Sequence, residues 1–184
     1  MNAIALLTAD HKKVRGLLSD LERTTTDDVD ERARLVHEIE HELTIHAKIE
    51  EDVFYPAFHD AAEKSEDNEM FFEAAEEHHV VELVLPELAD TDPGSDEFSA
   101  KAKVLKELVE HHAGEEEKEM FRRAKALLSE EELDELGARL EERKQELGGE
   151  LVGASAGRSA NGRKATTKGA RRPAARTGTS RKRK

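Results

Sequence analysis

At 184 residues, 39% of them charged and 36% hydrophobic, the chain is long enough for one domain with a real core and little more. It has no cysteine, which excludes disulfides, iron–sulfur clusters, thiolate zinc sites and cysteine nucleophiles. The net charge of −13 hides an asymmetry: residues 151–184 hold 11 Lys and Arg and no acid, whereas the first 150 residues carry 18 basic against 42 acidic side chains, a net −24.

Ile4, Leu7, Val14, Leu18 and Leu21 recur every three or four residues and predict a first helix over about 3–23, with His11 in the same row. Ala3-Ile-Ala-Leu-Leu7 is too short, and lacks the basic lead-in, for a secretory signal. No apolar run approaches the roughly 20 residues that span a bilayer, so the expectation is a cytoplasmic protein without a membrane segment. Thr24-Thr-Thr-Asp-Asp28 breaks the first helix. A long second helix over about 28–62 has the inner row Leu35, Ile39, Leu43, His46, Glu50, Val53 and Ala57, which puts a His and a Glu in core positions. Pro56 marks a kink late in this helix, because its ring removes one backbone hydrogen bond and clashes one turn back.

After a polar connection near Lys64–Asn68, a third helix over about 68–90 presents Phe71, Ala74, His78, Val81, Leu85 and Leu88. Asp92-Pro-Gly-Ser95 is turn chemistry with Ser95 as an N-cap. The fourth helix then extends to about 127, with Ala102, Leu105, Leu108, His112, Glu116 and Met120 inward. Ser129-Glu-Glu-Glu132 is a capping box that opens a fifth helix, which Gly148-Gly149 ends. Leu133, Leu136, Leu140 and Leu147 lay that helix across the bundle. The expected fold is all-α: an antiparallel up-down four-helix bundle with an additional C-terminal helix over residues 1–149. Over 150–184 Gly, Ala, Ser, Thr, Lys and Arg dominate, apolar periodicity stops, and a disordered basic tail is expected.

The stretch HAKIEEDVF from His46 recurs as HAGEEEKEM from His112, 66 residues on, pairing Glu50 with Glu116 and Glu51 with Glu117. On a helix a His and a Glu four apart share a face, so each copy offers an imidazole and a carboxylate to one point. Asp10-His11 and Glu77-His78 offer one further His each. Phase at about 100° per residue sorts the nine histidines. His37, His41 and His59 lie roughly 140–180° from His46 on the outer face, and His79 and His111 are turned about 100° from the inner pair His78 and His112.

A single inward His is more often a core side chain bonded to a neighbour. Buried carboxylates are different: each costs several kcal/mol unless paired or bound to a metal. Two Glu and four His at similar heights therefore call for cations. Six ligands exceed what one tetrahedral zinc takes, and imidazole with carboxylate suits iron, with manganese left open. The economical arrangement bridges two metals with Glu50 and Glu116, has His11, His46, His78 and His112 as terminal ligands, and leaves positions for water, hydroxide, dioxygen or peroxide.

Together these pieces resemble the hemerythrin-like, or HHE, domain family over about residues 2–147. They are Asp10-His11, His46-x-x-x-Glu50 followed by Glu51-x-x-Phe-Tyr-Pro56, Glu77-His78, and His112-x-x-x-Glu116 followed by Met120-Phe121. The resemblance implies a four-helix bundle around two non-haem iron ions with an oxo or hydroxo bridge, with Tyr55 near the metals. Oxygen-carrying members have a further His four residues from that on the third helix. Positions 74 and 82 here are Ala and Glu, which counts against reversible oxygen carriage.

The expected function is a di-iron protein that binds or reacts with O2, H2O2 or NO, in sensing or in oxidative and nitrosative defence. Turnover of peroxide would make it an enzyme, and a stable adduct a sensor or carrier. The alternative is an interaction protein whose basic tail contacts nucleic acid through salt-dependent phosphate contacts, or folds back on its own acidic helices. No nucleophile-elbow spacing and no glycine-rich phosphate loop occur in the sequence.

Overall fold

The computed structural model describes residues 1–161, and every regular element among them is helical. Helix α1 spans Ala3–Glu22, where the Asn2 side chain accepts from the Ala5 N–H at 2.9 Å and so caps its first turn. Helix α2 spans Val29–Ile49, is followed by a π-helical turn over Glu50–Phe54, and continues as α3 over Tyr55–Ala61. Helix α4 spans Ser65–Ala89. Helix α5 spans Asp96–Glu115, capped by Ser95 Oγ on the Phe98 N–H at 3.1 Å. A second π turn over Glu116–Met120 leads into α6, Phe121–Leu127, and α7 runs from Glu130 to Asn161. Both arms of the Ser129 capping box form, with the Glu132 N–H on Ser129 Oγ and the Ser129 N–H on Glu132 Oε2.

Helix α1 packs on α2 and α5, and α4 packs on the same two, so chain neighbours are spatial neighbours in an up-down bundle. Helix α7 lies across α1 and α2, burying Leu133, Leu136, Leu140 and Leu147. Gly137 permits that crossing. A β-carbon there would overlap the Met1 carbonyl oxygen and sit 2.8 Å from the Asn2 carbonyl carbon.

The buried apolar residues form two clusters. One gathers Leu7, Ile49, Phe54, Phe58 and Phe121 with Leu133, Leu136, Leu140 and Leu147 of α7. The other gathers Leu18, Leu35, Ile39, Leu88, Phe98 and Leu105. On every bundle helix the polar layer falls between residues of the two clusters: His11 between Leu7 and Val14, His78 between Ala74 and Leu85, His112 between Val109 and Met120. At the far end of the second cluster, buried Arg32 ties two loops together. It donates to Thr24 Oγ1 at 2.9 Å, to the Pro93 carbonyl at 2.7 Å and to Ser99 Oγ at 3.1 Å, and its guanidinium stands 5.1 Å from the centre of the Phe98 ring.

Three local expectations are corrected. Helix α7 runs through Gly148 and Gly149 to Asn161. Each glycine costs about 1 kcal/mol in a helix interior, but a glycine stop needs a left-handed residue, and neither adopts that conformation. Residues 150–161 thus belong to the helix, and the rest of the expected disordered tail, 162–184, lies outside the described residues. On α5 it is Val109 rather than Leu108 that is buried. At about 100° per residue, Val109 is closer in phase to the mean of Ala102, Leu105, His112 and Glu116. Finally, the irregularity assigned to Pro56 lies upstream of it, in the π turn, and Pro56 sits in the first turn of α3, where a proline is tolerated.

Candidate metal centre

Both π turns begin at the Glu of a His-x-x-x-Glu pair. The Tyr55 N–H bonds the Glu50 carbonyl and the Phe121 N–H bonds the Glu116 carbonyl, each skipping one residue more than an α-helix does. The second copy has Arg where the first has Pro56, so proline is not the common cause. The consequence is a change of phase. Nine residues beyond His46, an unbroken α-helix would turn Tyr55 roughly 180° away, and one extra residue brings it back by about 100°. Tyr55 is 1% and Phe121 2% exposed. Tyr55 stacks on His78 with ring centres 5.4 Å apart, and Phe121 on His11 at 5.7 Å.

The six side chains chosen by phase, His11, His46, Glu50, His78, His112 and Glu116, are all buried and converge in one layer. Of the alternatives, His79 is exposed and the His111 side chain is 60% exposed. Glu50 Oε2 lies 3.2 Å from His46 Nε2 and 3.2 Å from His78 Nε2. Glu116 Oε2 lies 3.2 Å from His11 Nε2 and 3.6 Å from His112 Nε2. The Tyr55 hydroxyl donates to Glu116 Oε1 at 2.9 Å.

The donors fall into two groups that share Glu50: His11, His46, Glu50 and Glu116, and Glu50, His78 and His112, with the donor atoms of each group within 4.8 Å of one another. Both Glu50 oxygens, Glu116 Oε2 and the Nε2 atoms of His11 and His46 are buried without a well-formed hydrogen bond. Orphaned polar atoms of this kind are costly inside a protein. A cation among them would engage these inward-facing lone pairs together, so the residues fit a metal.

Sequence reasoning named the six inner side chains but missed the partners behind them. Each imidazole turns Nδ1 toward a carboxylate on another helix. Asp10 Oδ2 on α1 is 3.9 Å from His46, and Glu51 Oε1, in the π turn after α2, is 3.5 Å from His78. Glu77 Oε2 on α4 is 2.8 Å from His112, and Glu117 Oε1, in the turn after α5, is 2.9 Å from His11. Each bundle helix supports the histidine of the next, and the last closes on the first. The available signal was an acidic residue directly beside His11, Glu50, His78 and Glu116 in the chain. Arg15 braces Glu117 at 2.7 Å, and Lys144 of α7 pairs with Asp10, which ties the fifth helix to this outer ring.

Burial raises Glu50 well above the ordinary carboxylate range, and the charge of Glu116 adds to the rise. Burial acts on Glu116 in the same direction, but His112 and His11 outweigh it and hold that carboxyl below the range. In the metal-free pair, burial thus favours the proton on Glu50 while the neighbouring imidazoles favour charge on Glu116. Burial takes His46 down to about 4 against the opposing pull of the nearby Asp10 carboxylate. Burial also opposes charge on His11 and His112, yet Glu116 and the outer carboxylates raise both. His78 beside it leads in holding Glu51 at about 2, with Lys48 adding to the effect.

A cavity of about 100 Å³ opens onto His46, His78 and His112, with Val14, Leu43, Val81, Leu85 and Val109 as apolar walls. Among the described residues, no helix is long and apolar enough to cross a membrane.

A four-helix bundle with a buried layer of four imidazoles and two carboxylates defines a helical protein whose core can hold metal ions. The chain belongs to the hemerythrin HHE cation binding domain family, whose sequence pattern matches residues 2–124. Among solved structures it is similar to a hemerythrin HHE cation binding domain-containing protein from Mycobacterium kansasii, at 28% identity and a TM-score of 0.72, covering 83% of this chain and 90% of that one. Among curated proteins it is similar to a DNA nickase of Nostoc sp., 27% identical over 158 residues, or 84% of this chain and 43% of the relative. The chain thus spans less than half the length of that relative.

Proposed function

We propose that the centre holds a pair of non-haem iron ions joined by an oxygen bridge, and that the protein binds or reacts with O2, H2O2 or NO in sensing or in oxidative and nitrosative defence. The observation that carries this reading is the division of the six buried donors into two groups sharing Glu50. Bound there, the metals would supply redox change and open coordination positions. The chain supplies the rest. Glu50 and Glu116 balance cationic charge, the four imidazoles are oriented through Nδ1 by the outer carboxylates, and Tyr55 holds a proton next to Glu116. The apolar cavity favours small uncharged molecules over anions. Metal analysis after anaerobic loading with ferrous iron, followed by the optical spectrum in air, tests the reading. A pair of irons per chain with oxo-bridged absorption is expected, and absence of both refutes it. Oxygen release from hydrogen peroxide by the loaded protein separates an enzyme from a carrier or sensor.

A second reading, contact with nucleic acid, draws on the 11 basic and no acidic residues of 151–184 and on the relative described as a DNA nickase. Such contact would be sequence-independent and strongly salt-dependent. DNA retention by the full chain and by one ending at Gly149, compared across a salt series, tests it. Equal retention removes the tail from consideration, and nicking of supercoiled plasmid by the iron-loaded chain would extend the likeness to activity.

A further inference from the structure

We propose that an acidic cleft between α4 and the second π turn is the route by which a divalent cation reaches the buried centre, separate from the apolar cavity. This rests on the metal reading above. The cleft, of about 40 Å³, is walled by Glu73, Glu77, Glu115 and Glu119 with Met70, Ala74 and Met120 between them, and Glu116 also lines it. Exposure falls along it. Glu73 and Glu119 are exposed, the Glu115 side chain is 45% exposed, Glu77 22% and Glu116 2%.

Two further observations point at a cation. At the inner end, Glu116 Oε2 faces His11 and His112 in the centre and is buried without a well-formed hydrogen bond. At the mouth, His111, Glu77 and Glu115 bring donor atoms within 4.8 Å of one another, His111 Nε2 standing 3.3 Å from Glu77 Oε1 and 3.6 Å from Glu115 Oε1. Glu77 faces both ways, since its other oxygen meets His112 Nδ1 at 2.8 Å.

A hydrated divalent ion crossing an apolar wall loses water with nothing to replace it, at a cost of many kcal/mol. The larger cavity offers mostly Val, Leu and Ala on that path, with the Lys48 cation opposing entry beside Glu82. The cleft offers a carboxylate oxygen at each depth, so hydration is exchanged in steps, and the −24 carried by residues 1–150 concentrates cations at its mouth.

The test follows uptake of ferrous iron, without oxygen, by the metal-free full chain. The chain's one tyrosine, Tyr55, lies in the centre, so its emission reports arrival, with metal analysis after rapid desalting as a second measure. Glu73→Gln, Glu115→Gln and Glu119→Gln are combined in one variant, and none of these residues touches an inner ligand's imidazole. A control neutralises Glu31, Glu97 and Glu107 elsewhere. The cleft variant is expected to load about tenfold slower, the low end of electrostatic steering, with final iron per chain unchanged and the control close to wild type. Equal rates for cleft variant and control overturn the proposal, and so does lower final iron at an unchanged rate, which would make these residues holders of metal. If the wild-type chain takes up no iron, the metal reading itself fails.

Discussion

The hydroxyl of Tyr55, carried by the first His-x-x-x-Glu copy, donates to Glu116 of the second at 2.9 Å. The first π turn therefore supplies a donor to the carboxylate of the second copy. A hydrogen bond to a buried carboxylate contributes roughly 1.5–3 kcal/mol. Tyr55→Phe is expected to lower the unfolding free energy of the metal-free protein by about 2 kcal/mol while iron content stays at the wild-type level. Urea unfolding and metal analysis check the two halves, and unchanged stability would mean the bond is absent in solution.

The ring of outer carboxylates carries its own prediction. Glu51→Gln and Glu117→Gln leave all six inner His and Glu side chains in place but weaken the groups that aim His78 and His11. Outer-shell partners of this kind are worth about 10–100-fold in metal affinity. Titration against a competing chelator is expected to show a loss of that size for each variant. His37→Gln, on an 82% exposed side chain, is expected to show none.

Glu50 gives a pH signature with a definite sign. Its folded-state pKa lies above the ordinary 4.5, because burial and then the charge of Glu116 disfavour ionisation. The stability it contributes is complete below 4.5 and lost as pH rises through the folded value. Glu50→Gln mimics the protonated form at every pH. Without metal it is expected to exceed wild type at neutral pH by on the order of 1–3 kcal/mol, and the two should converge in acid. Iron is expected to reverse the neutral-pH order, since the metal stabilises only a chain that binds it.

Packing of α7 is tested at Gly137. A methyl group there meets the backbone of Met1–Ala3, so Gly137→Ala is expected to destabilise by about 1–3 kcal/mol, as overpacking does. Gly16, inside α1 with nothing within 4 Å of its would-be β-carbon, is the control. Gly16→Ala is expected to stabilise by roughly 0.5–1 kcal/mol. Urea midpoints that move in the same direction for both would refute this account of the crossing.

Much of the architecture was legible because a helix's period is written in neighbouring residues. Four amphipathic rows, the duplicated His-x-x-x-Glu and the choice of His78 over His79 all follow from phase within one helix, and the six inner His and Glu side chains lie where phase directs them. Other features depend on distances between helices, and no local pattern records them. The π turns that carry Tyr55 and Phe121 inward occur with and without a proline, so tertiary packing around Glu50 and Glu116 selects them. The passage of α7 through two glycines was decided in the same way. So was the closed ring in which Asp10, Glu51, Glu77 and Glu117 each serve a histidine on another helix. Sequence spacing determines which way a side chain leaves its own helix, and only the assembled bundle determines what it meets.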